Sequence, residues 1–317
     1  MNENKLPPQN TGRGGIWYVL AAAVLWGTTG TSQGLAPAGV ESTTIGAVRL
    51  AVGGFVLLTF AMLRGSFKGS GRWPIFGTLM SALFVAGYQL CFFAGVARTG
   101  VAAGTMVAIG TAPVAAGVLG YLVRREHLGS RWMAATLLSV IGCAFLAAGG
   151  GGFQSNKTGI MLALGAGVSY AAYTVSIKSL LDQHEPDAVM AVVFCLAALL
   201  LSPLFFTSYL GWLVEPRGMA VALHLGVLAT AVSYGLFARG LKQINVGTAA
   251  TLSLAEPFTA TILGVVILGE RLSISQVSGV VLLFCGLVLL TLGENKPRNG
   301  SSNNTEQRSN REINIQH

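Results

Sequence analysis

The chain has 317 residues, of which 52% are hydrophobic and only 10% are charged. Soluble domains carry about 25% charged residues, so this composition excludes an ordinary soluble enzyme or binding module. The net charge of +8 would suit a nucleic-acid-binding protein, but the basic residues fall in short segments between long apolar stretches, as they do in membrane proteins.

Ten apolar stretches, each of about 20 residues, predict ten membrane-spanning helices. A polar N-terminal tail, residues 1–14, precedes them, and a polar C-terminal tail, residues 294–317, follows them. Both tails are predicted to be cytoplasmic, and the second is predicted to be disordered. A glycine-rich linker, residues 150–158, separates the fifth stretch from the sixth. The ten predicted spans are residues 15–35, 43–63, 74–97, 101–122, 131–149, 159–180, 187–208, 218–240, 246–268 and 273–293.

The two halves of the apolar region repeat one another. Residues 15–148 can be laid over residues 159–292 at one constant offset of 144 positions (159 minus 15), without a gap. A proline, a glutamate and several glycines keep register between the two copies. Internal repeats of this kind are typical of secondary transporters. We therefore predict an all-α membrane protein whose ten transmembrane helices form two five-helix repeats, at residues 15–149 and 159–293.

The Lys and Arg residues predict the orientation of the chain in the membrane. With the N-terminus inside, fifteen of them lie at the cytoplasmic side and four at the outer side. Cytoplasmic loops carry the excess of Lys and Arg, so both termini are predicted to be cytoplasmic. Because each repeat has an odd number of helices, the second repeat is predicted to be inverted relative to the first. The four outer residues are Arg98, Lys157, Arg217 and Arg271.

Short motifs within the repeat resemble a known transporter family. Residues 253–260 read Ser-Leu-Ala-Glu-Pro-Phe-Thr-Ala, and residues 267–272 read Ile-Leu-Gly-Glu-Arg-Leu. A weaker form, Gly-Thr-Ala-Pro, stands at residues 110–113 in the first half. Together these motifs resemble the hallmark of the EamA family, which belongs to the drug/metabolite transporter superfamily. Arg125 and Glu126 depart from the Gly-Glu pair that the family usually has in the first half.

The resemblance implies both a fold and an activity. Members of the family surround a central cavity with helices 1, 3, 4, 6, 8 and 9, while helices 2 and 7 flank this core and helices 5 and 10 lie at the periphery. The family exports amino acids and other small metabolites, and some members move drugs. We therefore expect a central substrate cavity in this chain.

Two prolines stand at matching places in the repeats, Pro113 in the fourth span and Pro257 in the ninth. A proline inside a helix removes one N–H donor and frees the carbonyl four residues back. In a membrane the freed carbonyl must be satisfied by protein or water, and interrupted helices at matching places point to a binding site near the midplane. We predict helix breaks beside the site at both prolines; simple packing kinks are the alternative.

Glu256 is a carboxylate close to the middle of the ninth span. An acidic residue at that depth costs about 2–3 kcal/mol or more, so an interaction must offset the cost. Glu256 could bind a substrate amine or a coupling proton. It could instead be a buried structural partner of Arg49, His224 or a tyrosine, or it could cap the backbone that Pro257 frees.

Aromatic and polar side chains recur at helical spacing on the helices that the resemblance places around the cavity. Such side chains form apolar sites with polar groups at defined points, which would suit a zwitterionic or moderately hydrophobic solute. Each residue taken singly could equally serve helix packing. The predicted substrate-binding residues are Trp26, Gln33, Tyr88, Gln89, Phe92, Tyr170, Tyr173, Thr174, Tyr234 and Phe237.

Other polar residues in the spans are interpreted as structural. Arg49 is expected to form a salt bridge or to anchor its helix at the interface, and His224 is expected to be a hydrogen-bonded histidine. The sequence contains no nucleotide-binding motif, no metal-ligand spacing and no paired catalytic constellation. We therefore expect no cofactor, no metal and no enzymatic activity.

The leading hypothesis is a secondary transporter of the inner (plasma) membrane that exports amino acids or related small metabolites by alternating access. Multidrug efflux is the alternative within transport, and a membrane sensor or a lipid-handling protein is an alternative outside it. The expected partners are a small-molecule substrate, the lipid bilayer and protons, which Glu256 would carry. No nucleic acid is expected, and the protein would be a monomer or a homodimer.

Overall fold

The computed structural model describes residues 13–68, 71–99, 101–148, 156–269 and 271–293. Both predicted tails, apart from residues 13 and 14, and most of the predicted linker lie outside these residues. The described residues form helices and contain no β-strand. The first seven helices are α1 (Arg13–Gly34), α2 (Ser42–Leu63), α3 (Ile75–Thr99), α4 (Val101–Arg124), α5 (Ser130–Ala148), α6 (Lys157–Leu181) and α7 (Pro186–Leu201).

Helices α8 and α9 are less regular than the other eight. Helix α8 consists of three consecutive segments, Pro216–Leu223, the π-helix His224–Val232, and Ser233–Leu241. Helix α9 is broken into Val246–Leu252 and Ala255–Leu268, and α10 is Ile274–Gly293. The connection from α7 to α8 contains one short helix, Leu204–Thr207, and one 3-10 turn, Gly211–Val214.

Nine of the described helices are long and apolar enough to cross a membrane. Helix α1 has 22 residues but is not among the nine. Its second half contains Thr28, Thr29, Thr31, Ser32 and Gln33, which lower its hydropathy. The all-helical membrane fold is therefore confirmed, while the count of ten spanning helices stays a prediction.

The helices pack as two copies related by a twofold axis. Helix α3 packs on α6 as α8 packs on α1, and α4 packs on α6 as α9 packs on α1. Helices α2 and α7 pack on each other, and so do α5 and α10. If each helix of one repeat is replaced by its equivalent in the other repeat, the same set of helix pairs results.

Glycines show that the pairs run antiparallel. In α5 a Cβ at Gly142 would meet the backbone of Gly279 and Leu283 in α10. In α10 a Cβ at Gly286, the repeat equivalent of Gly142, would meet the backbone of Ala135 and Ser139 in α5. Small residues at such crossings let helices approach closely in lipid. Because equivalent helices oppose each other, the two repeats are inverted, as predicted.

The two ends of the bundle are distinguished by which helix termini meet there. At one end, here called the inner end after the charge prediction, α1, α3, α5, α7 and α9 begin. At the other, the outer end, the same helices finish. Contacts hold both sets together: Arg131 Nε donates to the Leu289 carbonyl at the inner end, at 2.9 Å. Ser275 Oγ donates to the Phe145 carbonyl at the outer end, at 2.8 Å.

Candidate substrate-binding cavity

A cavity of about 780 Å³ lies between the two repeats. Its lining extends from the middle of the bundle to the outer end, where it reaches the exposed residues Glu41 and Ser42 at the start of α2. Ala97 near the end of α3 is also exposed on this lining. The cavity is therefore open at the outer end of the bundle.

Most of the residues predicted for the site line this cavity. They come from α1, α3, α6, α8 and α9, so five helices that are distant in sequence converge on one space. Helix α2 adds Arg49, and α5 adds Cys143. The predicted residues on the lining are Trp26, Gln33, Tyr88, Gln89, Phe92, Tyr170, Tyr234, Glu256 and Pro257.

Three predicted binding residues lie behind the lining. Phe237 is fully buried, with its ring centroid 5.3 Å from that of Trp26. Tyr173 is also buried, with its hydroxyl 4.0 Å from the Met190 sulfur. Thr174 Oγ1 donates to the carbonyl of Tyr170 in its own helix at 2.8 Å. These side chains support the cavity wall.

The aromatic side chains form one continuous cluster at the inner, closed end of the cavity. Tyr234 lies between Trp26, at 4.8 Å, and Phe194, at 4.5 Å between ring centroids. Tyr88 lies 5.8 Å from Tyr170 on the other side. Tilted ring pairs at these distances are the favourable arrangement for aromatic packing, so the floor of the cavity is closely packed and largely apolar.

The two prolines have different effects on their helices. At Pro257 the helix breaks: α9 stops at Leu252 and resumes at Ala255. The carbonyl of Ser253, which Pro257 frees, accepts instead from the Glu256 N–H at 3.0 Å. Tyr170 of α6, in the same repeat, contacts the break, since its hydroxyl lies 3.0 Å from Ser253 Oγ.

Helix α4 continues through Pro113 from Val101 to Arg124, so the predicted break there is absent. The carbonyl that Pro113 frees is that of Ile109, which lines the cavity. A proline is tolerated within a transmembrane helix when local adjustments or water satisfy the freed carbonyl. The two prolines occupy equivalent positions, but the helix is continuous at Pro113 and broken at Pro257.

Glu256 lies in the first turn of the second half of α9, on the cavity lining. The helix dipole at this position favours negative charge. The carboxyl group also interacts electrostatically with Arg49. None of the ion pairs formed by the described residues joins the two side chains directly. Glu256 and Arg49 thus line the same cavity without forming a direct ion pair.

Arg49 was expected to be structural, yet it lines the cavity. It is 8% exposed, interacts with the hydroxyl of Tyr234, and has no hydrogen-bond partner for Nε. A sequence signal for it exists: the repeat equivalent of Arg49 is Val193, and that of Glu256 is Ala112. Each of these two charges therefore occurs in only one copy of the repeat, Arg49 in the first copy and Glu256 in the second.

His224 has the hydrogen bond that the sequence interpretation expected. Its Nε2 lies 2.8 Å from Thr28 Oγ1, which links the π-helix of α8 to α1. His224 does not line the cavity. Within the described residues no group of His, Cys, Asp and Glu could hold a metal ion.

The inner end is joined by charged side chains in two places. In the first, Glu126 accepts from the Val246 N–H at 2.7 Å, and its carboxylate lies 4.0 Å from Lys178 Nζ. Lys178 Nζ donates in turn to the carbonyls of Leu241 and Ile244. These contacts tie the ends of α4, α6 and α8 to the start of α9.

The second charged contact is centred on Asp187 at the start of α7. Its carboxylate is 2.5 Å from Arg239 of α8 and 3.6 Å from Arg64 at the end of α2. Asp187 is 7% exposed, so this interaction is screened less than a surface ion pair. Charged contacts thus hold together the end of the bundle opposite the cavity mouth.

Comparison with known proteins identifies the family. The EamA-like transporter family matches the chain twice, over residues 13–148 and 157–292. The two matches begin 144 residues apart (157 minus 13), which is the offset predicted from the sequence. The chain belongs to the EamA-like transporter family, and it is a multi-pass membrane protein.

Relatives and a solved structure agree with this assignment. The chain is 39% identical to the uncharacterized transporter YwfM of Bacillus subtilis over 89% of its length and 95% of that protein. It is 29% identical to the threonine/homoserine exporter RhtA of Escherichia coli K12 over 81% of its length and 84% of that protein. One crystal structure matches with a TM-score of 0.77 at 22% identity, covering 89% of this chain and 98% of the other, which supports the fold alone.

Proposed function

We propose that the protein is a secondary transporter of the inner membrane that exports amino acids or related small metabolites by alternating access. The observation that carries the proposal is the pairing of a cavity open at one end with charged contacts at the other. The name of RhtA, a threonine/homoserine exporter, supports this substrate class.

Alternating access would use the inverted repeats. In the described state the cavity faces the outer end, and the contacts around Glu126 and Asp187 keep the inner end together. Exchanging the conformations of the two repeats would part these contacts and bring the outer ends of the helices together. The substrate site would then face the inner side, from which an exported solute is loaded.

Glu256 has two roles compatible with this cycle. Its carboxylate faces the cavity, where it can accept hydrogen bonds from a substrate ammonium group. It could also carry a proton that drives export, because the sequence contains no nucleotide-binding motif and a concentrative pump without ATP hydrolysis needs an ion gradient. In either case Glu256→Gln keeps the shape of the side chain and removes its charge.

Transport into proteoliposomes tests the proposal. Vesicles preloaded with unlabelled L-threonine should accumulate labelled L-threonine by counterflow, and a pH gradient should drive net transport if protons are coupled. Glu256→Gln should abolish the response to the pH gradient. If wild-type vesicles move none of the protein amino acids, the proposed substrate class is wrong; if flux ignores the pH gradient, the proton role is wrong.

Multidrug efflux is the second candidate, favoured by the aromatic wall. Trp26, Tyr88 and Phe92 present apolar faces to the cavity, which suit a lipophilic solute. Expression in a drug-sensitive strain distinguishes the candidates. Resistance to several lipophilic cations without amino-acid counterflow would favour efflux of drugs.

The orientation is proposed from charge, with both termini in the cytoplasm. A reporter fused after residue 66, between α2 and α3, should then be cytoplasmic, and one fused after residue 154 should be external. The same compartment for both reporters would contradict the scheme, because three helices separate the two points.

A further inference from the structure

We propose that Arg49 and Trp26 bind the carboxylate of a zwitterionic substrate, while Glu256 on the same cavity binds its ammonium group. The inference rests on the proposed transport function and deepens it, because it makes recognition depend on both charges of an amino acid. It also gives Arg49 a role in specificity in place of a structural one.

The first observation is that Arg49 is buried without a charge partner. A guanidinium group stays protonated in proteins, and a buried charge is stable only when it is paired. None of the ion pairs of the described chain involves Arg49, and its Nε has no hydrogen-bond partner. Since Arg49 lines the cavity, an acceptor that enters the cavity can pair with its guanidinium group.

The second observation is that Trp26, close to Arg49, also has a hydrogen-bond donor without a partner. Trp26 is 4% exposed and lines the cavity, and its indole Nε1 has no hydrogen-bond partner. Tyr234 connects the two residues, since its ring is 4.8 Å from that of Trp26 and its hydroxyl interacts with Arg49. Arg and Trp side chains only donate hydrogen bonds, whereas a carboxylate only accepts them. The two free donors therefore fit a carboxylate.

The third observation is the separation of the two charges. Glu256 and Arg49 interact electrostatically across the cavity but form no direct ion pair. A solute with both an anionic and a cationic group can satisfy both residues at once. An amine without a carboxylate leaves Arg49 unpaired, and a carboxylate without an amine leaves Glu256 unpaired. Unpaired buried charges are costly, so the site should reject solutes that carry only one charge.

The remaining lining would contact the substrate side chain. Tyr88 and Phe92 give one apolar wall, and Thr105 and Thr261 lie towards the open outer end. Among the described side chains, no further charged residue lines the cavity apart from Glu41 at its mouth. The geometry therefore fits a zwitterion with a neutral side chain.

The test measures discrimination between L-threonine and its amide, which has no carboxylate. Wild-type protein in proteoliposomes should transport L-threonine with a KM about 10- to 100-fold below that of L-threoninamide, as expected for a charged hydrogen bond. Arg49→Gln should raise the KM for threonine by a similar factor and abolish the discrimination. Trp26→Phe, which keeps a ring and loses the donor, should raise the KM several-fold.

Controls separate recognition from folding. Arg98→Gln makes the same charge change on the exposed outer end of α3, where Arg98 bonds only its own helix, and should leave the KM for threonine unchanged. Arg49→Lys keeps the charge but not the two-pronged geometry, so it should recover only part of the discrimination. If Arg49→Gln fails to fold, the amide comparison in wild type and the Trp26→Phe variant still decide.

The outcomes are distinct. If wild-type protein transports none of the protein amino acids, the proposed function fails. If it transports threonine, yet treats threoninamide equally or keeps its discrimination after Arg49→Gln, the function stands and the role of Arg49 is refuted.

Discussion

The two ends of the bundle occupy equivalent positions in the two repeats but carry different side chains. The charged Asp187 at the inner end corresponds to Thr43 at the outer end, and Lys178 corresponds to Gly34. Arg64 contacts Asp187 at 3.6 Å, whereas Ser208, the repeat equivalent of Arg64, accepts a hydrogen bond from the neutral hydroxyl group of Thr44 at the outer end. The repeated backbone can adopt two exchanged conformations, and the side chains decide which of the two is favoured.

The comparison explains why the described state is open outwards. Breaking a buried ion pair costs more than breaking a neutral hydrogen bond, because charges are left without partners. Opening the inner end would break the contacts of Asp187 and those of Lys178. All the ion pairs formed among the described residues lie at the inner end. A substrate that loads from the inner side must therefore supply binding energy that offsets the loss.

The largest effect is expected from Asp187→Asn. The substitution leaves Arg239 without its anionic partner, which lies at 2.5 Å. We expect the inner contacts to lose about 2–3 kcal/mol, at the lower end for a buried pair because Arg239 is partly exposed. Hydrogen–deuterium exchange should show faster exchange of the backbone amides around residues 236–248, while the amides at the start of α2 keep their rates.

Thr43→Val is the matched control, because Thr43 is the repeat equivalent of Asp187 at the outer end. Its hydroxyl makes only a long hydrogen bond of 3.3 Å to Glu41. Exchange rates at both ends should stay close to those of wild type. Equal effects of the two substitutions would show that the two ends are energetically equivalent, against the comparison.

A smaller loss is expected from Lys178→Met. Lys178 Nζ satisfies the carbonyls of Leu241 and Ile244, and it also neutralises Glu126. Leaving those carbonyls without a donor should cost about 1–3 kcal/mol, seen as a lower Tm in detergent. Adding Glu126→Gln should cost less than the sum of the two single changes, because the residues share one network.

The outer equivalent of Lys178 again gives the control. A Cβ at Gly34 would meet nothing within 4 Å, so Gly34→Ala should leave the Tm almost unchanged. A fall in Tm as large as that of Lys178→Met would mean that the helix end itself, and not the ammonium group, sets the stability there.

The sequence predicted the repeats, their inversion and the family, because apolar length and register depend on local composition. It also predicted most of the cavity lining, since aromatic residues on several helices share helical spacing. The sequence alone could not show that Tyr88 lines the cavity whereas Phe237 is buried behind the lining. Both faces of a helix in a bundle are apolar, so the choice depends on how neighbouring helices cross.

The structure differs from the sequence-based predictions at places where contacts between helices decide the local conformation. Pro113 and Pro257 have the same local chemistry, yet only α9 breaks, where Tyr170 contacts Ser253 beside the break. The π-helix His224–Val232 was not predicted, although the Thr230 hydroxyl bonds the carbonyl of Leu225, five residues back. Arg49 was assigned a structural role because a salt bridge or an anchor at the interface can be inferred from its own helix, whereas the cavity beside it depends on seven other helices.

The smallest effect is expected where the two repeats share a backbone conformation but not a residue. Arg125 follows α4 with φ 54°, and its repeat equivalent Gly269 follows α9 with φ 68°. The left-handed conformation costs a residue with a side chain about 1–2 kcal/mol, while glycine adopts it freely but loses more backbone entropy on folding. Arg125→Gly should therefore raise stability by only about 0.5 kcal/mol, whereas Gly269→Ala should lower it by about 1 kcal/mol.

Thermal unfolding of both variants, together with Arg125→Ala, tests whether the backbone alone explains this difference. Arg125→Ala keeps the strain and removes the guanidinium group, so its Tm should match that of wild type. A Cβ at Gly269 meets nothing within 4 Å, so strain is the sole cost expected there. If Arg125→Gly and Arg125→Ala both lowered the Tm by the same amount, the Arg125 side chain would stabilise the inner end directly. The charged contacts of the inner end would then extend one residue beyond Arg124, a result that would sharpen the contrast with the outer end, where the described residues form no ion pair.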